Sequence, residues 1–238
     1  MEANRFIAEV YRRMALRHGT KQARPNWSEI KDDPSVINAV QCYKTLLPTD
    51  KDAAILDIGF GNGWFMATCV ILGYTNISGA EFQVDSKNHI KEWSPSIVAL
   101  HDIKTNIGNF LANQPEKYDF IRMSHVIEHI PKHSLFYIVD ALYFALKRKG
   151  TLLIRCPNME GPCAMSSMYV TLGHEYGFTI SNLESLLSLC NFEDIEFHRF
   201  MHRLFRASQE NQRKQFSTEL IVTTRRIDLR PLFNKNYA

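Results

Sequence analysis

The chain has 238 residues, 45% hydrophobic and 22% charged, which is the balance of one globular domain with a sizeable core. A net charge of +3 with dispersed basic residues does not by itself point to nucleic acid. The N-terminus, charged throughout, is not expected to be a secretory leader, and the longest apolar run, WFMATCVILGY, is too short to span a bilayer. Five cysteines, an odd number without a C-x-x-C pair, fit reduced thiols and a cytoplasmic location.

In chain order, Phe6, Val10 and Met14 have helical spacing. A second helix is expected from about Pro34, capped by Asp33 or Ser35, with Pro48 as the stop beyond it. From Ala53 the pattern alternates. Strands are expected at 53–59, 76–82, 97–102, 118–125 and 151–158. Helices are expected at 63–74, 84–93, 105–114 and 132–150, the last closed by Gly150 after a basic final turn. Near-continuous apolar strands separated by helices indicate a parallel sheet covered on both faces. The end differs: a helix at 179–192, with Ser181 or Asn182 near its N-cap, precedes strands at 194–201 and 218–227. These two strands suggest an antiparallel pair finishing the sheet. Residues 159–178 show little periodicity and come after the fifth strand, so they are expected over the C-terminal edge, where open α/β sheets bind ligands. The densest basic cluster, His198 to Phe216, reads as a solvated helix face, with a polyanion surface as the alternative. The expected organisation is an N-terminal helical extension or lid (1–50), one main domain (51–228, with the 159–178 insert on its substrate side) and a tail (229–238).

The first strand runs into LDIGFGNGWF, where Gly59, Gly61 and Gly63 form G-x-G-x-G. A dinucleotide fingerprint needs glycine where Trp64 stands, and a P-loop needs a lysine that this turn lacks. Asp57 precedes the glycines, Glu81 ends the second strand about 20 residues on, and Asp102 ends the third. Three carboxylates along one edge would repel a phosphate-rich ligand unless a metal intervened. They suit one with an amine, a ribose diol and an exocyclic amino group.

With LDIGFGNGWF, GAEFQVD, LHDI, YDFIRMSHVIEHIP and GTLLIRCPN in that order, the chain resembles the class I S-adenosylmethionine-dependent methyltransferases over roughly residues 50–225. The resemblance implies a Rossmann-like, doubly wound α/β fold. Its seven-stranded sheet would be mostly parallel with an antiparallel final strand, and S-adenosylmethionine would be the cofactor, without a metal. It also implies site roles. The turn at Gly59, Gly61 and Gly63 lets backbone approach the cofactor, and Asp57 lies near the methionine amine. Glu81, followed by Phe82, binds the ribose hydroxyls. Asp102 faces the adenine amino group, Ile103 lies against the ring, and Ser124 and His125 end the fourth strand near the reacting sulfonium.

His125 to His129, HVIEH, also matches the inverted zinc-protease signature H-x-x-E-H. That signature needs a helix, whereas here a strand runs into His125, Pro131 comes almost at once, and no third ligand is evident. His133 reads as solvated. His129, in the loop after the fourth strand, and His174, in the insert, are the two candidate bases for deprotonating a hydroxyl. The alternatives are that His129 orders its loop through a backbone hydrogen bond and that His174 packs against the insert. The segment RCPNMEGP…LGHEYGFTISNLESLLSLCNFEDIEF looks like that of bacterial methyltransferases associated with surface-glycan enzymes. This implies O-methylation of a sugar hydroxyl in a polysaccharide, lipid-linked glycan or nucleotide sugar. Tyr169, Tyr176, Trp27 and Trp93 would stack on sugars or else serve as core and rim. The competing readings are a methyltransferase for another small metabolite, such as a quinone precursor or natural product, and a non-catalytic partner subunit of the same fold. Nucleic acid is not the expected acceptor, because SHVIEH stands where an Asn-Pro-Pro-Tyr-type signature would come after the fourth strand.

Overall fold

The computed structural model describes residues 9–10, 26–82, 90–103, 107–161, 164–198 and 219–227. Of the expected N-terminal helix only Glu9 and Val10 are described, and they are helical. Most of the expected helix at 84–93, the basic segment beyond His198 and the 229–238 tail lie outside the described residues.

Helices α1 (Trp27–Ile30) and α2 (Pro34–Tyr43) lead into β1 (Ile55–Ile58), α3 (Trp64–Ile71), β2 (Ile77–Glu81), β3 (Ile97–Asp102), α4 (Ile107–Ala112) and β4 (Tyr118–Ser124). Two 3-10 turns, Ile127–His129 and Lys132–Ser134, precede α5 (Leu135–Ala145). Then come β5 (Leu146–Pro157), α6 (Ala164–Tyr169), α7 (Ile180–Leu189), β6 (Phe192–His198) and β7 (Glu219–Arg226). The strands form one seven-stranded sheet in the order β3-β2-β1-β4-β5-β7-β6. β1 to β5 pair in parallel, and β7 lies antiparallel between β5 and β6. The expected Rossmann-like, mostly parallel sheet with an antiparallel final strand is the one observed. The order reverses between β1 and β4, which opens the crevice where such sheets take ligands. Among the described residues no helix is long and apolar enough to cross a membrane.

Strand alternation sorts side chains to the two faces. Leu56, Ile58, Ile121, Met123 and Ile154 point to the side covered by α4, α5 and α7. Ile55, Phe120 and Leu153 point to the other, where Ile30, Val36, Tyr43, Phe65 and Met66 cover them. The described part of the 1–50 extension is thus built into the core. Asp33 caps α2 by accepting from the Ser35 N–H at 2.7 Å. Trp27 and Trp93 belong to this cluster as well, their ring centroids 6.2 Å apart, so packing accounts for both.

Two expected boundaries are corrected. The helix expected to run to Gly150 ends at Ala145, and the basic run Lys147–Lys149 belongs to β5. The last helical carbonyls, of Phe144 and Ala145, accept from the N–H groups of Glu116 and Lys117, and the Leu146 carbonyl accepts from Arg226. Lys147 meanwhile reaches Asp119 at 2.7 Å. Partners from distant segments therefore take over the helix end, and β5 enters the sheet early with a register jump: Leu146 faces Tyr118, but Thr151 faces Phe120. The second correction concerns α7. Thr179, not Ser181 or Asn182, is its N-cap, and Thr179 and Asn182 form a reciprocal capping box.

On the second face, parallel register sets Asp57 of β1 directly beside Arg122 of β4. Arg122 Nη1 donates to Asp57 Oδ1 at 2.7 Å, Arg122 Nε donates to the Tyr43 hydroxyl at 3.2 Å, and the guanidinium lies over the Phe65 ring at 4.7 Å. Burial pushes the Asp57 carboxyl up, opposed by Arg122, and Arg122 in turn is held cationic by Asp57 despite its own burial. Removing one partner of such a pair strands the other charge. Arg122→Met is expected to cost about 3–5 kcal/mol of unfolding free energy in urea titration. The double variant Asp57→Asn, Arg122→Met, which leaves no lone charge, is expected to cost clearly less than Arg122→Met alone.

Candidate functional site at the carboxyl edge of the sheet

Three glycines with positive φ, Gly59 (72°), Gly61 (50°) and Gly63 (77°), carry the chain from β1 into α3. Two are required by the protein's own packing. A Cβ on Gly59 would stand 2.4 Å from Val126 Cγ2, and one on Gly63 would stand 2.8 Å from the Trp93 ring. At Gly61 a Cβ would meet nothing within 4 Å. Gly61 is therefore where backbone faces open space, and its left-handed conformation still favours glycine.

Glu81 stands over this turn. Its Oε2 accepts from the Gly61 N–H at 2.9 Å, and its Oε1 accepts from the Phe82 N–H at 2.6 Å. Each carboxylate oxygen keeps further acceptor capacity. Asp102 lies at the neighbouring strand end, in register with Glu81, and the Ile103 N–H donates to the Glu81 carbonyl at 3.1 Å. The structure thus brings Gly61, Glu81, Phe82, Asp102 and Ile103 together along one edge. Phe82 is exposed on the rim, whereas Ile103 is buried in the core cluster. Asp57 sits apart from the open edge: it is fully buried beneath the turn in its pair with Arg122, and its second oxygen, Oδ2, has no hydrogen-bond partner.

The fourth strand delivers the second half of the site. Ser124 is buried at its end. His125 takes a left-handed conformation (φ 53°), unusual for a side-chain-bearing residue, and both ring nitrogens face carboxylates. Nδ1 lies 3.2 Å from Glu128 Oε1, and Nε2 lies 3.1 Å from Glu219 Oε1. Hydrogen bonding to Glu128 and then Glu219 pushes the His125 imidazole up to about 9, against its burial, so it is an imidazolium at neutral pH. Arg155 completes the group, with Nη2 at 2.5 Å and Nε at 2.8 Å from Glu219 Oε2. These bonds tie the His125 ring into an ionic bridge across β4, β5 and β7.

The insert folds back onto the turn after β4. The Glu175 and Tyr176 N–H groups donate to the Glu128 carbonyl at 2.8 and 3.2 Å, and His129 Nδ1 lies 2.7 Å from the Gly173 carbonyl. That bond makes Nδ1 the protonated nitrogen of neutral His129 and leaves the lone pair on Nε2. His129 therefore does order its loop through a backbone carbonyl, and it presents a base at the same time. Burial pushes its imidazole down, while the Gly173 bond holds it up. The rings of His129 and His174, 45 positions apart in sequence, have centroids 4.7 Å apart. Of the insert's aromatics, Tyr176 packs edge-on against Phe178, and Tyr169 is exposed.

Sequence reading missed Arg122, Arg155 and Glu219, and it named Glu128 only as part of HVIEH. A single cation inside the apolar strand YDFIRMS was the available signal for Arg122. No local signal places Glu219 beside His125. Burial raises the Glu219 carboxyl, but the His125 bond and the Arg155 charge bring it from 4.5 down to about 2. Because its folded value is depressed, the stability it contributes is complete above pH 4.5 and is lost as pH falls toward 2. Glu219→Gln is expected to lower stability by about 2–3 kcal/mol at pH 7. In urea titrations at a series of pH values, the gap from the parent protein should narrow steadily below pH 4.5.

Comparison with known proteins agrees with this geometry. Residues 33–197 match the methyltransferase domain family. A 117-residue stretch is 32% identical to a ubiquinone biosynthesis O-methyltransferase of Bartonella tribocorum, covering 48% of this chain and 44% of that protein. A 117-residue match to a ribosomal protein L11 methyltransferase of Staphylococcus carnosus is 26% identical, over 49% of this chain and 34% of that protein. The matches thus span less than half the length of these curated relatives. Among solved structures, an S-adenosylmethionine-dependent methyltransferase of Archaeoglobus fulgidus superposes with a TM-score of 0.61 at 16% identity, over 80% of this chain and 94% of that one. The 1,6-didemethyltoxoflavin-N1-methyltransferase of Burkholderia thailandensis, solved with S-adenosylhomocysteine, gives 0.60 at 15%, over 95% and 87%. These two share the fold. The glycine turn, the edge carboxylates and the β1/β4 crevice sit where the family match runs, and the chain belongs to the methyltransferase domain family.

Proposed function

We propose that this chain is an S-adenosylmethionine-dependent methyltransferase that methylates an oxygen of a small hydroxylated acceptor, a sugar hydroxyl in a surface glycan, lipid-linked glycan or nucleotide sugar. The observation that carries the cofactor half is the open Gly61 backbone beside the Glu81 carboxylate. When bound, S-adenosylmethionine supplies an electrophilic methyl group on a cationic sulfur. A cationic nucleoside suits this donor-poor, acceptor-rich edge. Glu81 would take the ribose hydroxyls and Asp102 the adenine amino group, while Asp57, buried beneath the turn with Arg122, would support the turn rather than touch the ammonium.

On the acceptor side, the chain's own residues have two tasks. The described part of the insert next to Glu175 and Tyr176, whose N–H groups donate to the Glu128 carbonyl, would wall the crevice and limit water. His129 and His174 would loosen the acceptor's proton, a reading supported by their ring atoms lying within 4.8 Å of each other and of a Glu128 carboxylate oxygen. A cytoplasmic location belongs to this proposal, and the free thiols of Cys69, Cys156 and Cys190 are suited to it. A second acceptor class, quinone precursors or related phenols, is favoured by the 32% match to the ubiquinone biosynthesis O-methyltransferase.

Three measurements test this reading. Glu81→Ala should weaken S-adenosylmethionine binding by calorimetry at least tenfold, the loss of charge-assisted bonds worth about 1.5–3 kcal/mol; unchanged affinity would sink the cofactor assignment. Gly61→Ala should cost only about 1–2 kcal/mol of stability yet weaken the same binding, since its Cβ would enter the open space. In a labelled-methyl screen of glycans, nucleotide sugars and phenols, His129→Ala should lower turnover about 10²–10⁴-fold while leaving cofactor affinity in place.

A further inference from the structure

Glu128, whose Oε2 meets no donor, has no role in the methyl-transfer reading, yet it stands among polar atoms that converge where the turn after β4 meets the insert. Glu128, His129 and His174 each offer one ligand atom there, and these atoms all lie within 4.8 Å of one another. They are not the zinc-protease set that HVIEH suggests. His125 ends a strand, is bound at both nitrogens to carboxylates, and does not share a helix face with His129. The third member comes instead from the insert.

The set is anchored from behind. His129 Nδ1 bonds the Gly173 carbonyl at 2.7 Å, which directs the Nε2 lone pair forward. Glu128 Oε1 is held by His125 at 3.2 Å, while Oε2 of this side chain, only 2% exposed, has no hydrogen-bond partner. His174 Nδ1 is likewise buried without a partner. A carboxylate oxygen withdrawn from water and given no donor is costly unless something positive meets it. Imidazoles fixed through their far nitrogen, and carboxylates fixed through their far oxygen, are the arrangement that metal ligands need.

We propose that Glu128, His129 and His174 form a divalent transition-metal site whose open coordination positions take the acceptor's hydroxyl oxygen. This inference rests on the hydroxyl-methylating reading above and specifies how the proton is loosened. The ion polarises the O–H bond, the proton leaves to solvent, and the two histidines serve as ligands rather than as free bases. Two imidazole nitrogens and one carboxylate oxygen suit zinc, cobalt, manganese or iron better than magnesium or calcium, which prefer all-oxygen shells. Three protein ligands leave room for substrate, as catalytic sites require.

The test uses the full chain stripped of metal and titrated with Co²⁺ alone, read by visible d–d absorption and calorimetry. One ion per chain should bind, and Glu128→Gln and His174→Ala should each weaken binding tenfold or more, with folding checked by circular dichroism. His133→Ala, outside the cluster, should change nothing. No Co²⁺ binding by the parent protein, or binding indifferent to both substitutions, overturns the site even if methyl transfer proceeds. S-adenosylmethionine binding is measured separately on the stripped protein. Co²⁺ binding at these residues without cofactor binding keeps the metal site and overturns the methyl-transfer reading instead.

Discussion

Asp57 and Arg122 face each other across β1 and β4, the two strands between which the sheet changes direction, with Asp57 fully buried and the Arg122 side chain only 11% exposed. Each is tolerable in the core because the other is there. The pair also fixes geometry. The glycine turn begins two residues after Asp57, and His125 comes three after Arg122, so locking the two charges in register sets the relative height of both loops. Tyr43 and Phe65 close around the guanidinium, which ties α2 and α3 to the same point. The cofactor half and the acceptor half thus share one electrostatic pin.

On the acceptor side, the antiparallel β7 has a direct consequence. A parallel strand would begin at the far end of the sheet. Running the other way, β7 begins at the carboxyl edge, with Glu219 beside Pro157. That is how a residue 94 positions from His125 comes to hold its ring. Arg155 braces the same carboxylate, and the positive φ of His125 is maintained by bonds on both sides of the imidazole. Glu128 is positioned in its turn by His125, so the chain of contacts runs from β7 through His125 to the cluster with His129 and His174.

The two halves differ in how local their determinants are. Turn chemistry and strand punctuation are short-range: glycines at 59, 61 and 63 and acids at 81 and 102 stand within or next to the elements they serve. They were legible for that reason, and so was the parallel sheet, because strands covered on both faces must be apolar throughout. The end of α5 was not legible, since the carbonyls that close it are taken by Glu116, Lys117 and Arg226 from elsewhere in the chain. Nor was the division of labour among the glycines. Val126 and Trp93, which account for two of them, approach only after folding.

The amino-acid order alone therefore determined the class of fold, the alternation of its layers, the position of the glycine turn and the row of edge carboxylates, because each is written in periodicity or in adjacent residues. Tertiary structure decided which charges are buried against each other, that Asp57 pairs with Arg122 beneath the turn, and that His174 meets Glu128 and His129. Those pairings depend on strand register and on a loop folding back, distances in space that no spacing along the chain records.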